Sequence, residues 1–292
     1  MSESSVWDRN YTSGITSAWT NHPLVARHVY DTISDGAGLF WLNWVFEGLL
    51  RRQFKRVLSI GCGDGAHELL IARAGYATQI DAFDASTVGI RRANETARAE
   101  NLNCRFSVDT FEAFEERPCA DRYDFVLFSG SLHHIRNLEG MLSKVHAILA
   151  EGGVVCVNEY IGARHGLYPQ KQINLANNVL AALAPAFRAS KHAAVRAPEL
   201  QDVRNHDPSE GIRSNLIPAF LDIFFTPIYE RRYGGYLLHP LFDALNSQKL
   251  KDGSEESQTI VRILIEMDKA IASHPDYGSD FLFGVYRSKE VL

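Results

Sequence analysis

The chain has 292 residues, of which 46% are hydrophobic and 22% are charged, as in ordinary globular proteins. Its formal net charge is −5, from 30 basic and 35 acidic residues. No long basic run is present, so we expect no nucleic-acid partner. The four cysteines lack Cys-x-x-Cys spacing, which argues against a disulfide framework and against a structural zinc site.

Two segments bear on targeting and membranes. The first residues lack a basic region followed by an apolar one, so they do not read as a signal peptide. The apolar run at 37–50 is short and contains Asn43 and Glu47, which predicts a buried helix rather than a spanning one. We therefore expect a cytoplasmic protein without membrane insertion.

The N-terminal part, residues 1–54, is predicted to be helical and is rich in aromatic side chains. Trp7, Tyr11 and Trp19 are the most prominent of these. They would either close over a ligand as a lid, which excludes water from a reactive centre, or pack against the rest of the fold. The sequence leaves both possibilities open.

From residue 55 onward, predicted strands and helices alternate. Such alternation is typical of βαβ units and a parallel sheet. Right-handed crossovers bring the carboxyl ends of the strands to one edge, where open sheets of this kind bind ligands. The strands are predicted at 55–60, 78–83, 103–108, 123–128 and 153–159, and the helices at 65–75, 86–101 and 137–149.

After residue 160 the alternation stops and a helical insertion is predicted. Within it, Asp207 and Glu210 have the spacing of an N-cap and the third position of a helix, with proline between them. The sheet then resumes. The chain is thus predicted to be one unit with four parts: a helical lead or lid (1–54), a cofactor-binding core (55–162), a helical cap over the substrate (163–222) and closing elements (223–292). In the last part, strands are predicted at 224–233 and 281–287, with a helix at 256–273 between them.

The segment 57–65, Val-Leu-Ser-Ile-Gly-Cys-Gly-Asp-Gly, ends a buried strand in a glycine-rich turn that leads into a helix. Glycine allows backbone angles closed to other residues and lets a ligand approach closely. The free N–H groups at the start of the helix favour a negative or acceptor-rich group. An acid about 20 residues later, Asp84, suits the ribose hydroxyls of a nucleoside cofactor, NAD among them.

Two further segments follow this motif and the acid in a fixed order. They are Tyr-Asp-Phe-Val-Leu-Phe-Ser-Gly-Ser-Leu-His-His at 123–134 and Leu-Ala-Glu-Gly-Gly-Val-Val-Cys-Val at 149–157. Together, the four features resemble the class I S-adenosylmethionine-dependent methyltransferases, over most of residues 50–160. The resemblance implies S-adenosylmethionine as cofactor. It also implies an α/β fold with a Rossmann-like, seven-stranded, mostly parallel sheet, helices on both faces and an antiparallel last strand.

The resemblance assigns the cofactor contacts residue by residue. Asp84 would accept hydrogen bonds from both ribose hydroxyls, since two adjacent donors match the two oxygens of a carboxylate. Ser59 departs from the family, many members of which carry an acid at that position. The other implied contacts are to the methionine part from Gly61, Cys62 and Gly63, by a backbone group from Ala85, to adenine from Asp109, Thr110 and Phe111, and to the sulfonium end from Ser129 and Gly130.

His133 and His134 are the candidate catalytic residues because they follow the fourth strand, beside the expected methyl group. Transfer to a hydroxyl requires removal of its proton, and an imidazole with a pKa near 6.5 suits that task. One of the two histidines would otherwise brace the loop. No metal site is predicted, because adjacent histidines on one loop are expected to point in different directions. Candidate substrate contacts are Glu159, Tyr160, His165, Tyr168 and Arg213.

These observations predict a methyltransferase that acts on a small molecule, with a sugar, lipid-linked or secondary-metabolite acceptor and with oxygen preferred over nitrogen or carbon. Two alternatives stay open. The glycine and acid spacing also fits an NAD(P)-dependent oxidoreductase, and a methyltransferase fold can serve as a catalytically inactive scaffold subunit. Self-association into a homo-oligomer is also left open.

Overall fold

The computed structural model describes residues 8, 19–118, 120–189 and 194–289. Its centre is a seven-stranded sheet in the order β3-β2-β1-β4-β5-β7-β6. The strands β1 to β5 are parallel, whereas β7 runs antiparallel between β5 and β6. The strands are Phe54–Ile60 (β1), Ala77–Asp84 (β2), Cys104–Val108 (β3), Tyr123–Ser129 (β4), Leu149–Tyr160 (β5), Phe225–Arg232 (β6) and Phe281–Ser288 (β7).

Helices surround the sheet and cover its two faces. The central strand β4 is therefore buried on both sides, and its residues 125–128 are completely shielded from solvent, as expected for parallel strands between helical layers. The longer helices are Pro23–Ile33 (α1), Ala66–Arg73 (α2), Thr87–Ala99 (α3), Phe111–Glu116 (α4), Leu138–Ile148 (α5), Gln170–Ala182 (α6), Leu200–His206 (α7), Ile217–Phe224 (α8), Leu238–Phe242 (α9), Ser247–Leu250 (α10) and Glu255–Ala272 (α11). This architecture confirms the predicted fold class.

Residues 19–49 of the N-terminal part pack on the sheet beside β7. Trp41 and Trp44 are buried, and their rings lie 5.8 and 6.2 Å from the ring of Phe283. Trp19 is also buried and lies 5.2 Å from Phe281. Trp7 and Tyr11, the other aromatic residues of the predicted lid, lie outside the described residues.

The predicted helix start at Asp207 is wrong. Residues 208–213 form turns, because the Asp207 carboxylate accepts hydrogen bonds from the backbone N–H and the hydroxyl of Ser209 two residues on. This is an Asx-turn, which competes with helix formation. Gly211 then has a φ of +55°, a left-handed backbone conformation that interrupts a right-handed helix.

Several features of the whole chain bear on its organisation. None of the helices within 19–118, 120–189 and 194–289 has the length and hydropathy to cross a lipid bilayer. The division of the chain into four segments stays a prediction.

The carboxyl ends of β1, β2, β4 and β5 lie along one edge of the sheet, and the loops that leave them carry the polar residues described next.

Candidate active site

The turn after β1 is built from glycines in the left-handed region. Gly61 has a φ of +74° and Gly63 a φ of +60°. A Cβ atom on Gly61 would stand 2.5 Å from the Cβ of Ser131 and 3.3 Å from the ring of Phe111. Glycine is therefore required here both for the backbone conformation and for the close approach of the loop after β4.

Asp84 ends β2 and ties this turn to the neighbouring strand. One of its carboxylate oxygens accepts a hydrogen bond from the N–H of Gly63 at 2.9 Å, and the other from the N–H of Ser86 at 2.8 Å. Burial raises the pKa of Asp84, although the two backbone donors oppose the shift. Each carboxylate oxygen has a second lone pair, so the group can accept further hydrogen bonds from a ligand.

A cavity of about 230 Å³ opens beside Asp84. All ten residues predicted to bind the cofactor line it, so the structure brings together what the resemblance assigned. Six other lining residues were not among the predicted cofactor contacts. One is His67 on α2, whose pKa burial lowers to about 4, and the others are Asp64, Ala66, Ser131, His134 and Ser209.

Asp109 and Thr110 also have structural partners. The Asp109 carboxylate forms a salt bridge of 2.8 Å with Arg117. The hydroxyl of Thr110 accepts a hydrogen bond from the N–H of Ala113 and so caps α4. These bonds fix the loop after β3, which leaves the ring of Phe111 on the cavity wall.

A second cavity, of about 520 Å³, adjoins the first. His67, Ser129 and Gly130 line both, so the two cavities meet at the end of β4. The predicted substrate contacts Glu159 and Tyr160 line the second cavity. Its lining also includes the aromatic side chains of Trp19, Tyr30, Phe40, Trp41, Tyr233 and Phe281.

A third cavity, of about 660 Å³, continues outward from the second and shares Tyr160, Glu210 and His239 with it. The predicted substrate residues His165 and Tyr168 line this outer cavity. Arg213 is not among the described residues that line any of the three. Its guanidinium pairs instead with the carboxylate of Glu139, at 2.7 and 3.1 Å, so the structure does not bring it to the site.

His133 is held by the buried carboxylate of Glu159. The Nδ1 atom of His133 lies 2.7 Å from Oε2 of Glu159. The other oxygen of Glu159 accepts hydrogen bonds from the N–H groups of Ser131 and Leu132, at 2.7 and 2.8 Å. Burial lowers the pKa of His133, but the Glu159 hydrogen bond and nearby carboxylates outweigh burial and raise this pKa to about 9.

His134 is held by two side chains of the insertion, those of Ser209 and Asp207. Its Nδ1 lies 3.1 Å from the hydroxyl of Ser209, and that hydroxyl donates to Asp207 at 2.6 Å. Because the hydroxyl proton is engaged, the oxygen accepts from His134, which places the imidazole proton on Nδ1. Burial and the charge of His133 lower the pKa of His134 well below its usual value.

The expectation that the two histidines point in different directions is wrong. Their ring centroids lie 4.2 Å apart with a tilt of 40°. The Nε2 atom of each ring lies 3.8 Å from an oxygen of Glu210. Residues 132–134 form a short helical turn, and the Glu159 carboxylate accepts hydrogen bonds at its start. This arrangement directs both rings toward the insertion, and the spacing of the residues in the sequence does not reveal it. Glu210 itself was read as a capping residue and was missed.

Ser59, where many family members carry an acid, donates a hydrogen bond of 2.5 Å to Glu68 on α2. Glu68 is fully buried, and its second oxygen has no hydrogen-bond partner in the described part of the chain. Burial raises the pKa of Glu68 to about 7. An acid is therefore present beneath the glycine turn, but it comes from the helix instead of the strand.

Comparison with known proteins decides the family. A family model described as "Methyltransferase domain" matches residues 41–198, more than half of the chain. The chain belongs to this methyltransferase family. No curated protein sequence matches the chain, so the assignment rests on the family model and the fold.

Two solved structures with low sequence identity share the fold, and a third is similar over most of the chain. The PH0226 protein of Pyrococcus horikoshii OT3 is 14% identical, with 96% of this chain and 99% of that one covered and a TM-score of 0.50. The MccD protein is 16% identical, with coverage of 85% and 96% and a TM-score of 0.50. An O-methyltransferase from a trans-AT PKS multienzyme of Brevibacillus brevis, solved with S-adenosyl-L-homocysteine, is 15% identical, with coverage of 86% and 71% and a TM-score of 0.49.

The methyltransferase is thus an enzyme of the class I type with S-adenosylmethionine as cofactor, and the NAD(P)-dependent oxidoreductase is set aside. The first cavity fits this cofactor, because all ten residues that the resemblance assigned to it line the cavity and Asp84 offers a carboxylate at the tip of β2. S-adenosylmethionine supplies a methyl group on a positively charged sulfur, which is itself the leaving group. The protein must place the acceptor and handle its proton.

Proposed function

We propose that this methyltransferase methylates a hydroxyl oxygen of a small molecule held in the second cavity, with a sugar, a lipid-linked molecule or a secondary metabolite as acceptor. The observation that carries the proposal is the junction of the two cavities at Ser129 and Gly130, with His133 and His134 beside it. An acceptor in the second cavity would there reach a methyl group in the first.

The size and lining of the second cavity support a small acceptor. Its volume of about 520 Å³ falls in the range of small-molecule sites. Seven of its nineteen lining residues are Trp, Tyr or Phe, and such side chains bind rings and aliphatic groups by burial of apolar surface. The adjoining outer cavity offers room for a longer acceptor or for a substituent of it.

The side chains at the junction support oxygen as the methylated atom. A hydroxyl is a weak nucleophile until it loses its proton, whereas a thioether or a neutral amine attacks through its lone pair without a base. Glu159 and Ser209 occupy the Nδ1 atoms of His133 and His134. The Nε2 atom of each ring lies 3.8 Å from Glu210. His134, whose pKa is lowered, can accept the proton of the hydroxyl, whereas His133 can do so only after its own ring has lost a proton.

The cofactor roles of the first cavity belong to the same proposal. We propose that the Gly61, Cys62 and Gly63 segment contacts the methionine part and that Asp84 accepts from the ribose hydroxyls. Asp109, Thr110 and Phe111 would hold adenine, with a backbone contact from Ala85. Ser129 and Gly130 would line the sulfonium end, where they also border the acceptor cavity.

A panel of hydroxyl, amine and carbon acceptors, with methyl-labelled S-adenosylmethionine, tests the proposal. We expect label on oxygen, and we expect His133→Gln to lower kcat by about 10²- to 10⁴-fold under conditions in which thermal unfolding shows that the variant is folded. His206→Gln, which alters an exposed histidine on α7, is the control and should retain kcat. Label only on nitrogen or carbon, or full activity of His133→Gln, would contradict the proposal.

A further inference from the structure

Two imidazoles and a carboxylate converge at the junction of the cofactor and acceptor cavities. One nitrogen from each of His133 and His134 and one oxygen of Glu210 all lie within 4.8 Å of one another. His134 lines the first cavity, whereas His133 and Glu210 line the second. The cluster therefore faces the place where the acceptor and the methyl group must meet.

The outer contacts of His133 are those of a metal-ligating histidine. Such histidines nearly always donate their other N–H to a carboxylate, a carbonyl or water, which fixes the tautomer and the ring orientation. Nδ1 of His133 lies 2.7 Å from the Glu159 carboxylate, which backbone N–H groups hold in place from below. When the ring is neutral, this contact keeps the proton on Nδ1 and leaves the lone pair on Nε2.

His134 has the same arrangement by a different route. Its Nδ1 donates to the hydroxyl of Ser209, which in turn donates to the Asp207 carboxylate. The lone pair of His134 is thus also on Nε2. Two neighbouring histidines, each with Nδ1 connected to a carboxylate, present their Nε2 atoms to the oxygens of a third carboxylate, that of Glu210, at 3.8 Å.

The charge around the cluster favours a cation. Glu159, Asp207 and Glu210 surround the two rings, so three carboxylates stand against two imidazoles. No hydrogen bond of the described residues engages the Glu210 carboxylate, whose contacts with the histidines are 3.8 Å long. Carboxylates at this separation from imidazole nitrogens leave room for an ion between them.

We propose that Nε2 of His133, Nε2 of His134 and the carboxylate of Glu210 bind one divalent first-row transition-metal ion. Two histidines and one carboxylate form a common ligand set for such ions, with positions left open for a substrate. Bonds of about 2.1 Å to a tetrahedral ion place the ligand atoms roughly 3.4 Å apart. Here each Nε2 lies 3.8 Å from a different oxygen of Glu210, and one ligand atom from each of the three residues lies within 4.8 Å of the others. The Glu210 side chain is 45% exposed and can turn to complete the site.

An ion held by these residues would border the acceptor cavity, because Glu210 and His133 line it. A hydroxyl bound there would have its pKa lowered by the ion, so its proton would pass to solvent and not to an imidazole. This role rests on the proposed O-methylation. The ion site itself does not, since its ligands are present whatever atom is methylated.

Metal binding to the full chain tests the site. Protein freed of metal with a chelator and dialysed is titrated with Zn²⁺ by calorimetry, and Co²⁺ is added to a second sample for its visible absorption spectrum. We expect one equivalent of Zn²⁺ to bind and the Co²⁺ bands of a nitrogen and oxygen site to appear. Glu210→Gln should weaken binding at least tenfold and abolish the bands.

Glu199→Gln is the matched control, because it removes an exposed carboxylate of the same insertion and should bind as the unaltered protein does. Thermal unfolding of each variant checks that it folds. His134→Gln supplies a second ligand change. The site is overturned if the unaltered protein binds no ion, or if Glu210→Gln and His134→Gln both fold and retain its affinity. An ion that binds as expected in an enzyme that labels only amines would sustain the site and refute the proposed O-methylation.

Discussion

At the scale of single residues, Glu68 is the most constrained ionisable group beneath the cofactor loop. Its side chain is 1% exposed, and only one of its oxygens has a hydrogen-bond partner, the hydroxyl of Ser59. A buried carboxylate in such surroundings is more stable with its proton than without it. The folded protein therefore keeps this proton to a higher pH than the unfolded chain does.

This difference predicts a pH-dependent stability. The pKa of Glu68 is about 7 in the folded protein, against 4.5 as the reference. Its protonated form contributes fully below pH 4.5, and that contribution is lost as the pH rises through 7. Glu68→Gln imitates the protonated form, so it should gain stability relative to the unaltered protein by on the order of 3 kcal/mol between pH 4.5 and pH 8.5.

Urea unfolding at pH 4.5 and pH 8.5 measures this gain. Glu112→Gln changes an exposed glutamate on α4 and is the control. Its stability relative to the unaltered protein should be the same at both pH values. Parallel pH curves for the unaltered protein and Glu68→Gln would show that Glu68 ionises normally.

At the scale of elements, the glycine turn between β1 and α2 connects two loops of the site. Gly61 lies against Ser131, the residue that follows β4 and Gly130, and Ser131 donates a hydrogen bond of 2.6 Å to the carbonyl of Ile60. The turn after β1 and the loop that carries His133 and His134 are therefore packed as one surface. A change in either loop should displace the other.

Gly61→Ala tests this contact. The added Cβ would meet Ser131 at 2.5 Å in a backbone conformation with φ of +74°. We therefore expect the free energy of unfolding to fall by about 2–4 kcal/mol, from backbone strain and from the collision together. Gly152→Ala is the matched control, because Gly152 also has a positive φ, +68°, but nothing lies within 4 Å of its Cβ position. Equal shifts of the urea midpoint in the two variants would show that the collision is relieved at no cost.

At the scale of the whole molecule, cofactor binding should stabilise the folded chain. The first cavity is lined by loops that follow β1, β2, β3 and β4, so a ligand there connects separate parts of the sheet. A specific ligand at 100 times its Kd adds about 2.7 kcal/mol to the free energy of unfolding. We expect this gain with S-adenosylhomocysteine and no gain with NADH.

Asp84→Ala should reduce the affinity for S-adenosylhomocysteine by about 1.5–3 kcal/mol, the contribution of hydrogen bonds to a charged group. Calorimetry of the variant measures this loss directly. Since Asp84 also accepts from Gly63 and Ser86, the melting temperature without ligand is recorded beside it. Undiminished affinity in a folded Asp84→Ala variant would place the ribose elsewhere in the cavity.

The sequence alone determined the sheet and the position of the first cavity. Buried apolar strands that alternate with helices, and glycines that end a strand, act through local backbone preferences that composition and period make visible. For this reason β1 to β4 were predicted from their pattern. The resemblance to the methyltransferases, and not the pattern, assigned the ten cofactor residues, all of which line the first cavity. Strand β5 begins at Leu149, ahead of the predicted 153, because Leu149 pairs with Tyr123 on β4, a contact that only folding creates.

The cluster of His133, His134 and Glu210 was decided by the tertiary structure. The two histidines are adjacent in sequence, but the carboxylate of Glu159, from another strand, orients the loop that carries them. Glu210 lies 76 residues beyond His134 in the numbering, in a turn that the Asp207 side chain forms in place of the predicted helix start. Long-range side-chain contacts of this kind leave no periodic signal. The sequence therefore named several lining residues of the acceptor cavity, Glu159 and Tyr160 among them, but it did not predict the cluster.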